Sequence, residues 1–270
     1  MGTMEGYLYF HKTKILLLAL LPIIYNSILF TSPPKFLATS LGFSAGVMIY
    51  VSMVEIFSKA KISLIVSFGE KTGTLLTIVG FISGMLLIGL IDKFIPEDKN
   101  PHEVHDISSA EKNGKNNVSK TKLMRTGIFT AFAIGIHNFP EGLATFVSAL
   151  QDPAVAIPIV VAIAIHNIPE GIAVSVPIYY ATGSKKKAFL LSFASGLSEL
   201  IGAIIGYLIL LPFMSETVYG ILFALVAGIM VFISLDELLP SARAYGKHHL
   251  SIYGMIAGMA VMAISLWLFV

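Results

Sequence analysis

The stretch "AGVMIYVSMVE", Ala45 to Glu55, returns as "AGIMVFISLDE", Ala227 to Glu237, with alanine, glycine, methionine, serine and glutamate held in register. A second match follows each copy. "GFISGM" starts at Gly80 after the first, and "GMIAGM" starts at Gly254 after the second. Matches that recur in the same order and at similar offsets point to a duplicated unit. The fold therefore turns on how many membrane crossings separate the copies.

The surrounding composition supplies that count. Of 270 residues, 56% are hydrophobic and only 13% charged, against about a quarter charged in a soluble domain. Apolar runs of roughly 18 to 25 residues are long enough to cross a bilayer. They give eight spans: Lys14 to Phe30, Leu37 to Phe57, Gly73 to Ile91, Leu123 to Val147, Pro153 to Tyr179, Ala188 to Leu211, Val218 to Leu239 and Ser251 to Val270. The connectors "TSPPK", "SKAKIS", "QDP", "ATGSKKK" and "SARAYGKHH" carry the turn and charge signals. The first run lacks a small-residue cleavage site and is read as a retained helix.

The first copy lies in spans two and three, the second in spans seven and eight. An even-numbered span is thus paired with an odd-numbered one, and the two cross in opposite directions. The expected fold is an all-α membrane protein of eight transmembrane helices in one domain, residues 1–270. Helices 1–3 and 6–8 form an inverted repeat around a central helix 4/5 pair, an arrangement typical of transporters. The pairs Gly42/Gly46, Gly80/Gly84, Gly202/Gly206 and Gly254/Gly258 are expected to let helices approach closely.

Lysine and arginine concentrate in the connectors after spans one, three, five and seven, at Lys35, Lys93 through Arg125, Lys185 to Lys187, and Arg243 with Lys247. Cytoplasmic loops retain positive charge, so both termini are expected outside the cell membrane. The polar connector Asp92 to Lys122 is expected to be a flexible cytoplasmic loop; its His102 and His105 are read as solvated residues able at most to capture a metal loosely. A net charge of +2, with no basic face, argues against a nucleic-acid partner, and the absence of cysteine removes disulfides and thiolate chemistry.

The chemistry sits in the central pair. "IGIHNFPEG", Ile134 to Gly142, and "IAIHNIPEG", Ile163 to Gly171, are nearly one nonapeptide written twice. Residues four apart share a helix face, so His137 lies beside Glu141 and His166 beside Glu170. Both histidines lie about 20 Å from the "QDP" turn at 1.5 Å per residue, so the motifs meet near mid-membrane. Ionised carboxylates there cost about 3 kcal/mol each and need a partner. No lysine or arginine lies at that depth, which leaves a divalent cation. Two glutamates match its charge, and two imidazoles complete an N2O2 set suited to Zn(II) and tolerant of Fe(II) or Mn(II).

Asn138 and Asn167 point about 100° away from the histidines and offer oxygens to a second, harder site sharing the glutamates. The alternative for them is interhelical hydrogen bonding. Pro140 and Pro169 cannot donate to the carbonyls one turn back, which frees an acceptor in each helix and bends it. Glu199, alone in the middle of span six, is assigned to the same cluster. Glu55, Asp236 and Glu237 end their spans and are candidate entry and exit points, or simply interfacial carboxylates.

These residues resemble the ZIP (Zrt- and Irt-like protein) metal transporters, over nearly the whole chain from Leu41 onward. The likeness is carried by "HNFPEG", "HNIPEG", "ATGSK", "SGLSE" and "LDELLP". It implies eight spans, outside termini and uptake of zinc (Zn2+) and other divalent cations, Fe2+, Mn2+ and Cd2+ among the candidates, as cargo with no cofactor. It also implies a two-site metal centre, one site resembling His137, Glu141, His166 and Glu170, the other Asn138, Glu141, Asn167, Glu170 and Glu199. Movement of spans one, four, five and six against the others is the mechanism the resemblance implies. Its partners are divalent metal ions and the lipid bilayer, with a homodimer left open. The competing reading is a membrane-embedded metalloenzyme, a di-metal oxidase or hydrolase. Against it, the chain has no His-Glu-x-x-His, and its motif runs His-x-x-x-Glu where di-iron bundles use Glu-x-x-His.

Overall fold

A computed structural model describes residues 34–93, 116–151, 153–245 and 248–268. The expected first span and the histidines of the polar connector lie outside these residues. The described chain is helical throughout, joined by short turns. Helix α1 (Pro34–Tyr50) passes through a π-helical turn (Val51–Ile56) into α2 (Phe57–Phe68), and α3 covers Glu70–Lys93. The long helices α4 (Asn116–Gln151) and α5 (Pro153–Thr182) carry the doubled motif. Helix α6 (Lys185–Ile205) ends in a π turn (Gly206–Leu210). Helix α7 (Glu216–Ile233) passes through a π turn (Ser234–Leu238) into α8 (Leu239–Tyr245), and α9 covers His248–Leu268. Among the described residues, five stretches are long and apolar enough to cross a membrane: Ala38–Phe68, Glu70–Ile91, Lys185–Leu210, Glu216–Arg243 and His248–Leu268.

Two expected boundaries move. The helix expected to end at Phe57 continues to Phe68. Ser58, Lys59 and Lys61 contain no breaker, and lysine stems lie along apolar surface while their ammonium groups reach outward. The stop comes at Gly69, whose φ of 77° only glycine adopts freely. The polar connector is also shorter, because α4 already begins at Asn116. The "ATGSK" turn behaves as its residues suggest. Gly183, at φ 64°, closes α5 by donating to the carbonyl of Tyr179, and the Ser184 hydroxyl accepts from the amide of Lys187 to start α6.

Glycines set how the helices pack. A Cβ on Gly42 or Gly46 would run into the carbonyl oxygens of Ser251 and Met255 on α9, and one on Gly254 or Gly258 into those of Thr39 and Phe43 on α1. The same pattern joins α3 to α7, where Gly84 faces the carbonyl of Leu225 and Gly228 that of Phe81. Backbones meet directly at both seams, as small-xxx-small pairing in a membrane allows. The apolar core includes Met48, Val174, Phe223, Ala227 and Met230. Outward faces such as Leu75, Leu86, Ile256 and Ile264 remain exposed, as expected of helices whose outer surface meets lipid.

Candidate metal centre

Helices α4, α5 and α6 converge on one cluster of buried polar side chains. Asn138 and Glu141 come from α4, Asn167 and Glu170 from α5, and Glu199 from α6, and all five are buried. Tight packing brings α6 in. Cβ atoms on Gly142 and Gly202 would strike the carbonyls of Glu199 and Phe139, so α4 and α6 touch backbone to backbone at the level of the motif. The glycine after Glu141 is therefore what lets α6 carry its glutamate up to the doubled motif. Helix α4 runs unbroken through Pro140.

Cross-helix hydrogen bonds fix the donors. Asn167 Nδ2 donates to Glu199 Oε2 at 2.9 Å, and Asn138 Nδ2 donates to the carbonyl of Ser195 at 3.5 Å. Each amide thereby turns its oxygen away from its partner. Asn138 Oδ1 and Asn167 Oδ1 are buried with no hydrogen-bond partner among the described residues, although buried acceptors are nearly always satisfied. A narrow gap, closed to a water-sized sphere, lies between Asn138, Asn167 and Glu170, walled by Ser192 and Ser195. Two buried hard amide oxygens on residues that line one gap with a carboxylate are a donor set suited to a divalent cation.

The structure thus bonds Asn167 to Glu199, sets Asn138, Asn167 and Glu170 around one narrow gap, and places Glu141 on the same helix as Asn138, one turn on. The backbones of His137 and His166 lie in α4 and α5 beside these residues, and their side chains lie outside the described part. Among the described residues no three His, Asp or Glu side chains gather by themselves, so a complete donor set needs the asparagine oxygens or the histidines.

Sequence reasoning missed three serines. Ser44 Oγ on α1 donates to Glu170 Oε1 at 3.4 Å, tying α1 to α5. Ser192 Oγ donates to the carbonyl of Gly171 at 3.1 Å, and Ser195 lends its carbonyl to Asn138. Their signal was a set of hydroxyls inside apolar runs, in "GFSAG" and "LSFASGLSE".

The candidate entry and exit carboxylates do not end helices. Glu55 lies within the first π turn, paired to Lys59 at 3.6 Å, and Asp236 and Glu237 lie within the last, with Glu237 buried.

A family model described as ZIP Zinc transporter matches residues 95–266. Relatives extend the match. The chain is 63% identical over 246 residues to the zinc transporter ZupT of Clostridium perfringens, covering 87% of this chain and 86% of the relative. It is 64% identical over 235 residues to that of Streptococcus mutans, covering 87% of each.

The chain belongs to the ZIP zinc transporter family.

Membership in this transporter family decides against the membrane metalloenzyme. A ZIP protein is a multi-pass membrane protein, which agrees with the five candidate spans and the lipid-facing surfaces. A third relative, the zinc transporter ZupT of Lysinibacillus sphaericus, is 62% identical over 239 residues and 87% of each chain.

Proposed function

We propose that this protein takes up zinc across the cytoplasmic membrane, through a metal centre built by α4, α5 and α6. One observation carries the reading. Asn138, Asn167 and Glu170 line one narrow gap between α4 and α5, with Glu141 and Glu199 also buried on α4 and α6, and the two amide oxygens have no hydrogen-bond partner among the described residues. Buried charge of one sign at that depth is costly unless a cation neutralises it. His137, Glu141, His166 and Glu170 would hold zinc at one site, and Asn138, Asn167 and Glu199 would share the two glutamates at a second. Fe2+, Mn2+ and Cd2+ are further cargo, the first two matched to the harder, oxygen-rich side and the softer Cd2+ to the side bearing the imidazoles.

The proposed frame is eight spans with an inverted repeat of 1–3 and 6–8 and both termini outside. Two features support it. The matched segments Ala45 to Glu55 and Ala227 to Glu237 enter a π turn within one residue of the same position, at Val51 in the first and at Ser234, the counterpart of Ser52, in the second. The glycine seam of α1 with α9 also has its counterpart in that of α7 with α3, which pairs the repeated helices in swapped order. Related halves of opposite direction can exchange conformations and so open the centre to each side in turn. The π turns hold Glu55 and Glu237, and such turns are frequent at functional positions in helices. They are proposed as stations on either side of the centre.

The test is uptake of radiolabelled zinc into vesicles containing the purified chain. Wild type is expected to accumulate zinc above protein-free vesicles, and Glu170→Ala to lose most of it. Equal, background-level signals from both proteins would overturn the reading.

A further inference from the structure

A cavity of about 790 Å³ runs between α4 and α6 on one wall and α3 and α7 on the other. This is within the roughly 300 to 1,000 Å³ typical of ligand pockets. It is apolar along its length, with Leu87 and Ile91 on α3, Ile128, Phe132 and Phe139 on α4, and Leu191 on α6. Ile128 and Phe132 are 43% and 57% exposed, so the cavity opens laterally to the surroundings.

Ile128 also lines a neighbouring cavity of about 660 Å³, whose other walls include Lys120, Arg125 and Lys187. The two spaces follow one helix face, because Arg125, Ile128 and Phe132 recur at spacings of three and four, and on α6 Lys187 and Leu191 do the same. The depth from Ile128 to Pro140 is about 18 Å at 1.5 Å per residue. That is close to half of a roughly 30 Å hydrocarbon core.

An apolar groove one leaflet deep, ending in three cations, matches one occupant. We propose that an anionic phospholipid binds here, with its phosphate on Lys120, Arg125 and Lys187 and an acyl chain along Ile128, Phe132 and Phe139. Charge complementarity selects the head group, since basic pockets between membrane helices take anionic lipids. The acyl chain ends beside Pro140 and Ser195. Ser195 lines both this groove and the narrow gap at the proposed metal centre. The lipid thus lies against the back of the wall that positions Asn138, between the helices bearing the centre and the α3–α7 pair.

The test does not depend on zinc and stands apart from transport. The only tryptophan, Trp267, is replaced by phenylalanine, and Phe132→Trp or Ile128→Trp places a single reporter in the groove. The full chain is reconstituted in vesicles whose acyl chains carry bromine on either phosphatidylglycerol or phosphatidylcholine. Each cation near the surface contributes about a fivefold preference, reduced by salt, so phosphatidylglycerol should reach half-maximal quenching at a roughly ten- to hundredfold lower mole fraction. The triple variant Lys120→Gln, Arg125→Gln, Lys187→Gln, altered only at exposed positions, should abolish that preference. Equal quenching by both lipids overturns the proposal. So does a preference that survives the triple variant, or a groove closed to both lipids by a second copy of the chain.

Discussion

Replacing Asn167 by aspartate would remove one hydrogen bond at the proposed metal centre and set two carboxylates against each other. Asn167 Nδ2 donates to Glu199 Oε2 at 2.9 Å, with the two side chains 0% and 3% exposed. The aspartate is nearly the same shape but puts a carboxylate oxygen where the donor stood. Losing a bond to a charged acceptor costs about 1.5–3 kcal/mol. Two like charges at 4 Å repel by ~4 kcal/mol at an effective dielectric of 20. The terms overlap, and a net loss of about 3–5 kcal/mol lowers the melting temperature of the zinc-free protein by roughly 6–20 °C at 2–4 °C per kcal/mol. Zinc supplies the missing opposite charge. Binding only to the folded state stabilises by ~2.7 kcal/mol at a hundred times Kd. Zinc should therefore raise the melting temperature of Asn167→Asp by more than that of wild type. Asn167→Ala loses the oxygen without gaining a charge and should respond less than either. Thermal unfolding of the three purified proteins, with and without zinc, measures this directly. Equal zinc-induced shifts in all three would refute the placement of Asn167 at the centre.

Gly228→Val and Gly46→Val force side chains into backbone carbonyls across helix seams. Overpacking of this kind costs about 1–3 kcal/mol or more, and the yield of monodisperse protein on size-exclusion chromatography should fall sharply for both. Ser192→Ala removes the bond to the Gly171 carbonyl at 3.1 Å; a loss of about 1 kcal/mol in stability with zinc uptake retained is expected from thermal unfolding and vesicle flux. Asn138→Ala should change the relative uptake of Zn, Fe, Mn and Cd, measured in competition, more than it reduces zinc flux alone, because it removes a hard oxygen and leaves the carboxylates. Lowering pH protonates carboxylates and imidazoles that must be deprotonated to hold a metal, so zinc affinity measured by equilibrium dialysis should weaken as pH falls.

Much of this arrangement could be read from residue order. Apolar run lengths located seven of the eight expected spans as described helices, and the glycine pairs at Gly42/Gly46 and Gly254/Gly258 meet across a seam as their spacing suggested. The doubled motif named Asn138, Glu141, Asn167 and Glu170, because buried carboxylates duplicated on adjacent helices need a common partner. Other features depend on tertiary packing. The bond from Asn167 to Glu199 joins residues 32 apart on α5 and α6, and Gly142 and Gly202 seat α6 against α4 at the same level. Ser44 reaches Glu170 across 126 residues, a contact for which its neighbours in sequence give no pattern. The π turns were invisible for a different reason. One extra residue in a helical turn leaves hydrophobic periodicity nearly unchanged, so Glu55 and Glu237 read as span ends when they lie inside continuing helices.

The proposed metal centre requires that the carboxylates of the doubled motif bind zinc. Equilibrium binding of radiolabelled zinc to the purified full chain tests it, comparing wild type with the double variant Glu141→Gln, Glu170→Gln, which keeps side-chain shape and removes both charges. Saturable binding by wild type and a loss of affinity of about a hundredfold or more, roughly one tenfold step for each 1.4 kcal/mol lost, is the predicted result. Unchanged stoichiometry and affinity in a folded double variant would contradict it.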